Sequence, residues 1–176
     1  MSLENVILVD EQDQAVGTME KMEAHRQGLL HRAFSVFMFD GEKRLLLQQR
    51  ALHKYHSAGL WTNTCCSHPR PDEATVTAAI RRLEEEMGLQ AAPAPAFTFR
   101  YRATVGGGLI EHEIDHVFVA YSNQDPILNP DEAADFRWAG LEEIERWVTT
   151  QPQRFTAWFK HSYRRVFAYV EDHYST

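Results

Sequence analysis

The stretch Trp61-Thr62-Asn63-Thr64-Cys65-Cys66-Ser67-His68-Pro69 brings two thiols, an imidazole and an amide close together, and Glu111-His112-Glu113 sets two carboxylates about an imidazole. On a strand the triplet alternates, so both carboxylates face one way and His112 the other. Two like charges that close raise each other's proton affinity unless a cation sits between them. His25, His31 and His68 stand at the ends of elements, next to these carboxylates or thiols in the pattern. The interval from His25 to His31 is wrong for one helix face, so they converge only if the chain leaves the helix between them, which Gly28 allows. Three imidazoles and two carboxylates form a mixed nitrogen and oxygen set that suits an octahedral Mn²⁺, Mg²⁺, Fe²⁺ or Zn²⁺. Each residue alone also has a plainer reading. Free cysteines fill cores, and a charged strand face is commonly solvated. Two features tilt the balance: Ile114 to Val119 continues the Glu-His-Glu strand as an apolar run, and the cysteine segment is too polar for a core strand and reads as a site loop. His53, His56, His112, His116, His161 and His173 read as solvated or structural.

These residues need elements to hold them. Val6 to Val9 and Ala15 to Met19 form a hairpin, and Thr18 to His25 adds a turn or two of helix that stops at Gly28. Ala33 to Phe39 and Leu45 to Gln49 flank Asp40-Gly41, a strong hairpin signal. Thr75 to Met87 is a helix with Val76, Ala79, Ile80, Leu83 and Met87 on one face and Gly88 as its stop. Ala91 to Ala96 is an alanine-proline spacer; Phe97 to Thr104 and Ile110 to Tyr121 are strands; Glu142 to Val148 and Phe155 to His173 are helices. The expected architecture is α+β, a mixed sheet with helices packed on it, in a single domain over 1–176.

Composition limits the partners. A net charge of -7 argues against a nucleic-acid binder, and an anionic ligand would demand a local positive island. No segment has the apolar length of a membrane span, and the acidic N-terminal region (Glu4, Asp10, Glu11, Asp13) departs from a secretory signal. Two adjacent cysteines make no disulfide scaffold, so a reducing cytoplasm is the expected setting.

A further pattern sets Glu73, Arg81, Leu83, Glu85, Glu86 and Gly88 at the spacing of the Nudix box, with Ser67 in place of its first glycine and Arg82 in place of a glutamate. Together with the cysteine loop and the Glu-His-Glu block, this resembles the type I isopentenyl-diphosphate isomerases over nearly the whole chain, Val6 through Trp158. The resemblance implies a Nudix-like α/β/α sandwich and the interconversion of isopentenyl and dimethylallyl diphosphate by protonation and deprotonation. It implies that Cys66, Glu113 and Tyr101 are catalytic, and that His25, His31, His68, Glu111 and Glu113 hold a first metal, Mn²⁺ or else Mg²⁺ or Zn²⁺. It implies that Glu86 and the Cys66 backbone carbonyl hold Mg²⁺ on the diphosphate, that Lys21, Arg50, Lys54 and Arg82 meet the diphosphate, and that Trp158 lines the hydrocarbon pocket with Tyr101. The implied partner is a small isoprenoid diphosphate, with neither nucleic acid nor membrane, and the implied state is a monomer or weak dimer. A Nudix pyrophosphohydrolase is the rival enzyme, but it gives no role to Cys66 or the histidines, and Arg82 removes one of its carboxylates. A non-catalytic metal- or partner-binding module leaves Cys66 equally idle.

Overall fold

The computed structural model describes residues 4–174. The first hairpin forms as expected from β1 (Asn5–Val9) and β2 (Ala15–Glu20), but β2 outlasts the expected helix start at Thr18. Helix α1 (Lys21–Gln27) begins only after Glu20, whose carboxylate accepts from the backbone N–H groups of Met22 and Glu23 at 3.0 and 2.9 Å. That cap satisfies donors the first turn leaves free. Gly28 ends α1 at φ 65, a left-handed conformation that suits glycine, and lets the chain turn directly into β3 (His31–Phe39).

The chain continues through β4 (Leu45–Arg50), the short strands β5 (Trp61–Thr62) and β6 (Cys65–Ser67), and α2 (Thr75–Met87). Two long strands follow, β7 (Ala94–Thr104) and β8 (Ile110–Tyr121), then β9 (Ala133–Ala139), α3 (Leu141–Thr150) and α4 (Ala157–His173). The cysteine segment is therefore partly strand, not purely loop. The end of the Ala91 to Ala96 spacer also joins β7, where a register shift between Pro95 and Phe97 accommodates proline on an edge strand. Strand β9 was absent from the expectation because only its end residues, Ala133 and Ala139, are buried, so it lacks an apolar alternation.

Strands β2, β1, β3, β4 and β5 follow in order; β8 lies beside β3, β7 beside β8, β6 pairs with β3 and β9 with β4. The β3–β8 pair is parallel and the others are antiparallel, giving a mixed sheet. Phe34, Val36, Met38, Leu46 and Phe118 pack with Ala79, Leu83 and Met87 of α2 on one face. Phe37, Phe39, Leu45, Leu47, Val117 and Val119 pack with Ile144 of α3 and Phe159, Tyr163 and Val166 of α4 on the other. Helices on both faces make the α/β/α sandwich. On α2, Val76 and Ile80 are exposed; its buried stripe runs through Ala78, Ala79, Leu83, Glu86 and Met87. The helix is rotated so that a carboxylate, and not an isoleucine, points inward. Among the described residues, no helix is long and apolar enough to cross a membrane.

The α4 face of the sheet is divided along its length. On β3 it carries His31, Ala33 and Ser35, then Phe37 and Phe39; on β8 it carries Glu111, Glu113 and Asp115, then Val117 and Val119. The apolar half anchors α3 and α4, leaving the polar half as the wall of a site.

Candidate active site

Parallel pairing in the register His31↔Glu113 brings an imidazole beside a carboxylate without any loop. His25 arrives from α1 and His68 from just beyond β6. The ligand atoms of His25, His31, His68, Glu111 and Glu113 all lie within 4.8 Å of one another. His25 Nδ1–H donates to Lys21 O at 2.6 Å and His31 Nδ1–H to Leu29 O at 2.9 Å. These bonds fix the tautomer and leave each Nε2 with a lone pair turned inward. Neither Nε2 has a hydrogen-bond partner, nor does Glu111 Oε2, although all three atoms are buried. Burial holds His31 and His68 down to about 3, so both are neutral donors. Glu111, despite its burial, is kept well below the usual carboxylate range by His25 and His56. In return it raises the pKa of His25 against that residue's own burial, so His25 Nε2 offers its lone pair only once that proton is lost. Neutral imidazoles, an ionised carboxylate and orphaned inward atoms fit a divalent metal ion.

The same sheet face continues into a cleft of about 630 Å³ open to solvent. Cys66 pairs across from Ser35, and Tyr101 on β7 from Glu113, so both side chains line this cleft with Glu113. Burial pushes the Cys66 thiol up to about 12 and raises the Tyr101 phenol as well, so both keep their protons at neutral pH. Trp158, near the start of α4, also lines the cleft; its indole N–H donates to Asn63 Oδ1 at 3.2 Å, and the Arg50 guanidinium lies 5.4 Å from its ring. Lys21, Arg50, Lys54 and Arg82 all line the cleft, sharing its wall with Glu4, Glu86, Glu111, Glu113, Asp115 and Glu132. Lys21 pairs with Glu4 at 2.9 Å, Lys54 with Glu132 at 2.7 Å and Arg82 with Glu132 at 3.2 Å. Carboxylates thus hold these cations where an anionic ligand would bind. Glu86 also reaches the cleft; burial raises its pKa, and its Oε2 accepts from Cys65 Sγ at 3.0 Å. Cys65, adjacent to Cys66 on β6, faces the α2 side instead and is fully buried.

Residues 29–159 match the NUDIX domain family. The chain is 51% identical over 166 residues to the isopentenyl-diphosphate Delta-isomerase of Pectobacterium atrosepticum, covering 94% of this chain and 93% of that protein. It belongs to the isopentenyl-diphosphate Delta-isomerase family. Isopentenyl-diphosphate Delta-isomerase 2 of Aromatoleum aromaticum is 52% identical over 165 residues, covering 94% of this chain and 87% of that protein. The fold alone is shared with the MutT protein of Methanosarcina mazei Go1, at a TM-score of 0.66 and 20% identity over 83% of this chain and 96% of that one.

In this member of the isomerase family the site residues read from sequence come together. Cys66, Tyr101, Glu111, Glu113, Glu86, His68, Trp158 and the four basic residues line one cleft, with His25 and His31 buried behind it in the histidine–glutamate cluster. His112 turns away as expected, donating through Nδ1 to Gly28 O at 3.0 Å. Two members of the box serve structure instead: Arg81 forms a double hydrogen bond to Glu73 at 2.8 and 2.9 Å, and neither lines the cleft. Of the two readings given for His56, solvated or structural, the first does not hold: it is buried, lines the cleft, and sets its Nε2 2.7 Å from Glu111 Oε1. Glu4, Tyr55, Asp115 and Glu132 line the cleft too and were missed. Asp115 had a signal, since it continues the same-face alternation of Glu111 and Glu113. Glu4 and Glu132 had none.

Proposed function

We propose that this isomerase interconverts isopentenyl diphosphate and dimethylallyl diphosphate by moving a proton on at one carbon and off at another. The observation that carries the reading is the shared cleft of Cys66, Glu113 and Tyr101, walled by Trp158 and flanked by four cations. Protonating an unactivated alkene generates tertiary cation character, which needs proton-handling groups and walls that offer no nucleophile. A thiol and a phenol that both stay protonated at neutral pH meet that need. Cys66 and Glu113 exchange the substrate protons, and Tyr101 assists beside Glu113. His25, His31, His68, Glu111 and Glu113 hold Mn²⁺, or Mg²⁺ or Zn²⁺, and that ion would act as a Lewis acid fixing the Glu113 carboxyl. Glu86 and the Cys66 backbone carbonyl hold Mg²⁺ against the diphosphate, an ion that favours phosphate oxygens with few protein carboxylates. Lys21, Arg50, Lys54 and Arg82 grip the same diphosphate, exchanging Glu4 and Glu132 for phosphate oxygens.

Magnitudes rank these parts. Positioned acid–base groups contribute about 3 to 5 kcal/mol, a desolvated cation over Trp158 about 2 kcal/mol, and a firmly held substrate about 7 to 11 kcal/mol. Anchoring by the basic island therefore matters at least as much as the aromatic wall. The chain acts as one cytoplasmic domain, monomeric or weakly dimeric, on a small isoprenoid diphosphate and on neither nucleic acid nor membrane. Turnover in D₂O tests the reading: deuterium should enter isopentenyl diphosphate, and Cys66→Ala and Glu113→Gln should each abolish incorporation in a folded protein. No incorporation by the metal-loaded wild type sinks the assignment; release of inorganic phosphate would point to hydrolysis.

A further inference from the structure

The loop between β4 and β5 holds one histidine in a built conformation. Ser57 takes φ 52, a left-handed backbone that a residue with a side chain adopts at a cost of about 1 to 2 kcal/mol. The loop is closed at its base, where Arg50 N–H donates to Leu60 O at 2.8 Å and Gly59 N–H to Arg50 O at 3.2 Å. Arg50 Nη2 donates to the His56 carbonyl at 3.1 Å, so the backbone of His56 is tied to a cation of the cleft. The imidazole stands edge-on to Trp158, with ring centroids 6.0 Å apart and planes at 89°. Its Nδ1 lies 3.0 Å from Ser57 Oγ, which can donate to it and leave the proton on Nε2. Nε2 is buried, lies 2.7 Å from Glu111 Oε1 and has no other partner. This is a close polar contact, short in distance but not in line as a hydrogen bond. Glu111 in turn has no partner at Oε2, and its Oε1 is 3.6 Å from His25 Nε2.

We propose that His56 is a positioning residue of the metal centre, engaging Glu111 Oε1 so that Oε2 is presented to a divalent ion. His56 lies outside the five-residue donor cluster; it acts through Glu111 and not as a ligand. A buried carboxylate with one oxygen engaged has fewer orientations to lose when the ion binds, and removing such an outer partner typically weakens metal binding about 10- to 100-fold. The inference rests on the five-residue metal site proposed above. It adds that the loop after β4 couples that site to the diphosphate-binding Arg50 and to Trp158 through a single residue.

Mn²⁺ binding to the chelator-treated full chain tests it, followed by loss of the free-ion electron paramagnetic resonance signal. Wild type should bind Mn²⁺, His56→Ala about 10- to 100-fold more weakly, and His56→Gln, whose amide can reach Glu111, within a few-fold of wild type. The apo melting temperature of each variant accompanies the titration, since a merely structural role would lower it without the rescue by glutamine. If His56→Ala does not fold, His56→Asn, too short to reach Glu111, carries the same expected loss. Unchanged affinity in a folded His56→Ala or His56→Asn protein overturns the inference while leaving the metal site standing. A wild type that takes up no Mn²⁺ overturns both.

Discussion

A thiol that carries protons must keep its own at neutral pH, and the reactivity of Cys66 measures whether it does. Burial pushes it up to about 12, with Arg50 opposing that rise only in part. At pH 8 a free cysteine, with a pKa of about 8.5, is about one quarter thiolate. A thiol at about 12 is ionised in about one molecule in 10,000. Ionisation alone then slows attack on a neutral pyridyl disulfide by about 2,000-fold. The scarce thiolate is more nucleophilic, however, by a Brønsted slope of about 0.45, which over this interval returns about 40-fold. The expected net slowing is about 60-fold before any steric exclusion by the cleft. Absorbance of the released thiopyridone gives the rate, and peptide mapping assigns it to Cys66 and not to the fully buried Cys65. The rate should rise about tenfold per pH unit from 8 to 10, as it must for any thiol far below its pKa. A rate within about fivefold of free cysteine, or one that levels off in that range, would show a resident thiolate and refute the reasoning.

Acid should weaken the metal-free protein through His31 and His68, both held down to about 3, and not through His25, whose pKa is raised. Folded His68 is held down to about 3, whereas the unfolded chain takes up its proton near 6.5, so its contribution is fully present above 6.5 and is lost as pH falls towards 3. Between pH 7 and pH 5 this loss is about 2 kcal/mol; urea unfolding should show a correspondingly smaller decline for His68→Gln, and equal declines would contradict it. Gly88→Ala should cost about 2 kcal/mol or more by the same measurement. Gly88 has φ 61, and a Cβ there would lie 2.7 Å from the Ile127 carbonyl oxygen, which is backbone and has little freedom to retreat. An alanine protein as stable as wild type would show that this crossing is loose.

Residues whose role follows from local alternation were the most legible. Glu111 and Glu113 share a face and His112 opposes them, as any strand requires, and Gly28 lets His25 and His31 converge. The β3–β8 pairing that joins them is parallel and far apart in sequence, so no local pattern announced it; the family resemblance grouped His31 with Glu113 but not the strands that carry them. What escaped had no periodicity to carry it. His56 sits in a loop whose shape depends on Ser57 in a left-handed conformation, which no pattern in Lys54 to Gly59 announces. Glu4 and Glu132 are ordinary surface residues until the fold brings Lys21, Lys54 and Arg82 to them. The inward face of α2 was misjudged because hydrophobicity nominated Ile80, while a site beneath the helix demanded Glu86.

The side-by-side alignment of His31 and Glu113 also bears on assembly. Slipping β8 by a single step would turn every one of its side chains to the opposite surface, taking both glutamates away from the imidazoles. A divalent ion captured by this cluster would therefore favour only correctly aligned chains, stabilising them by mass action over any slipped sheet. An ion bound there would thus proofread the pairing of two strands whose partners His31 and Glu113 stand 82 residues apart in sequence.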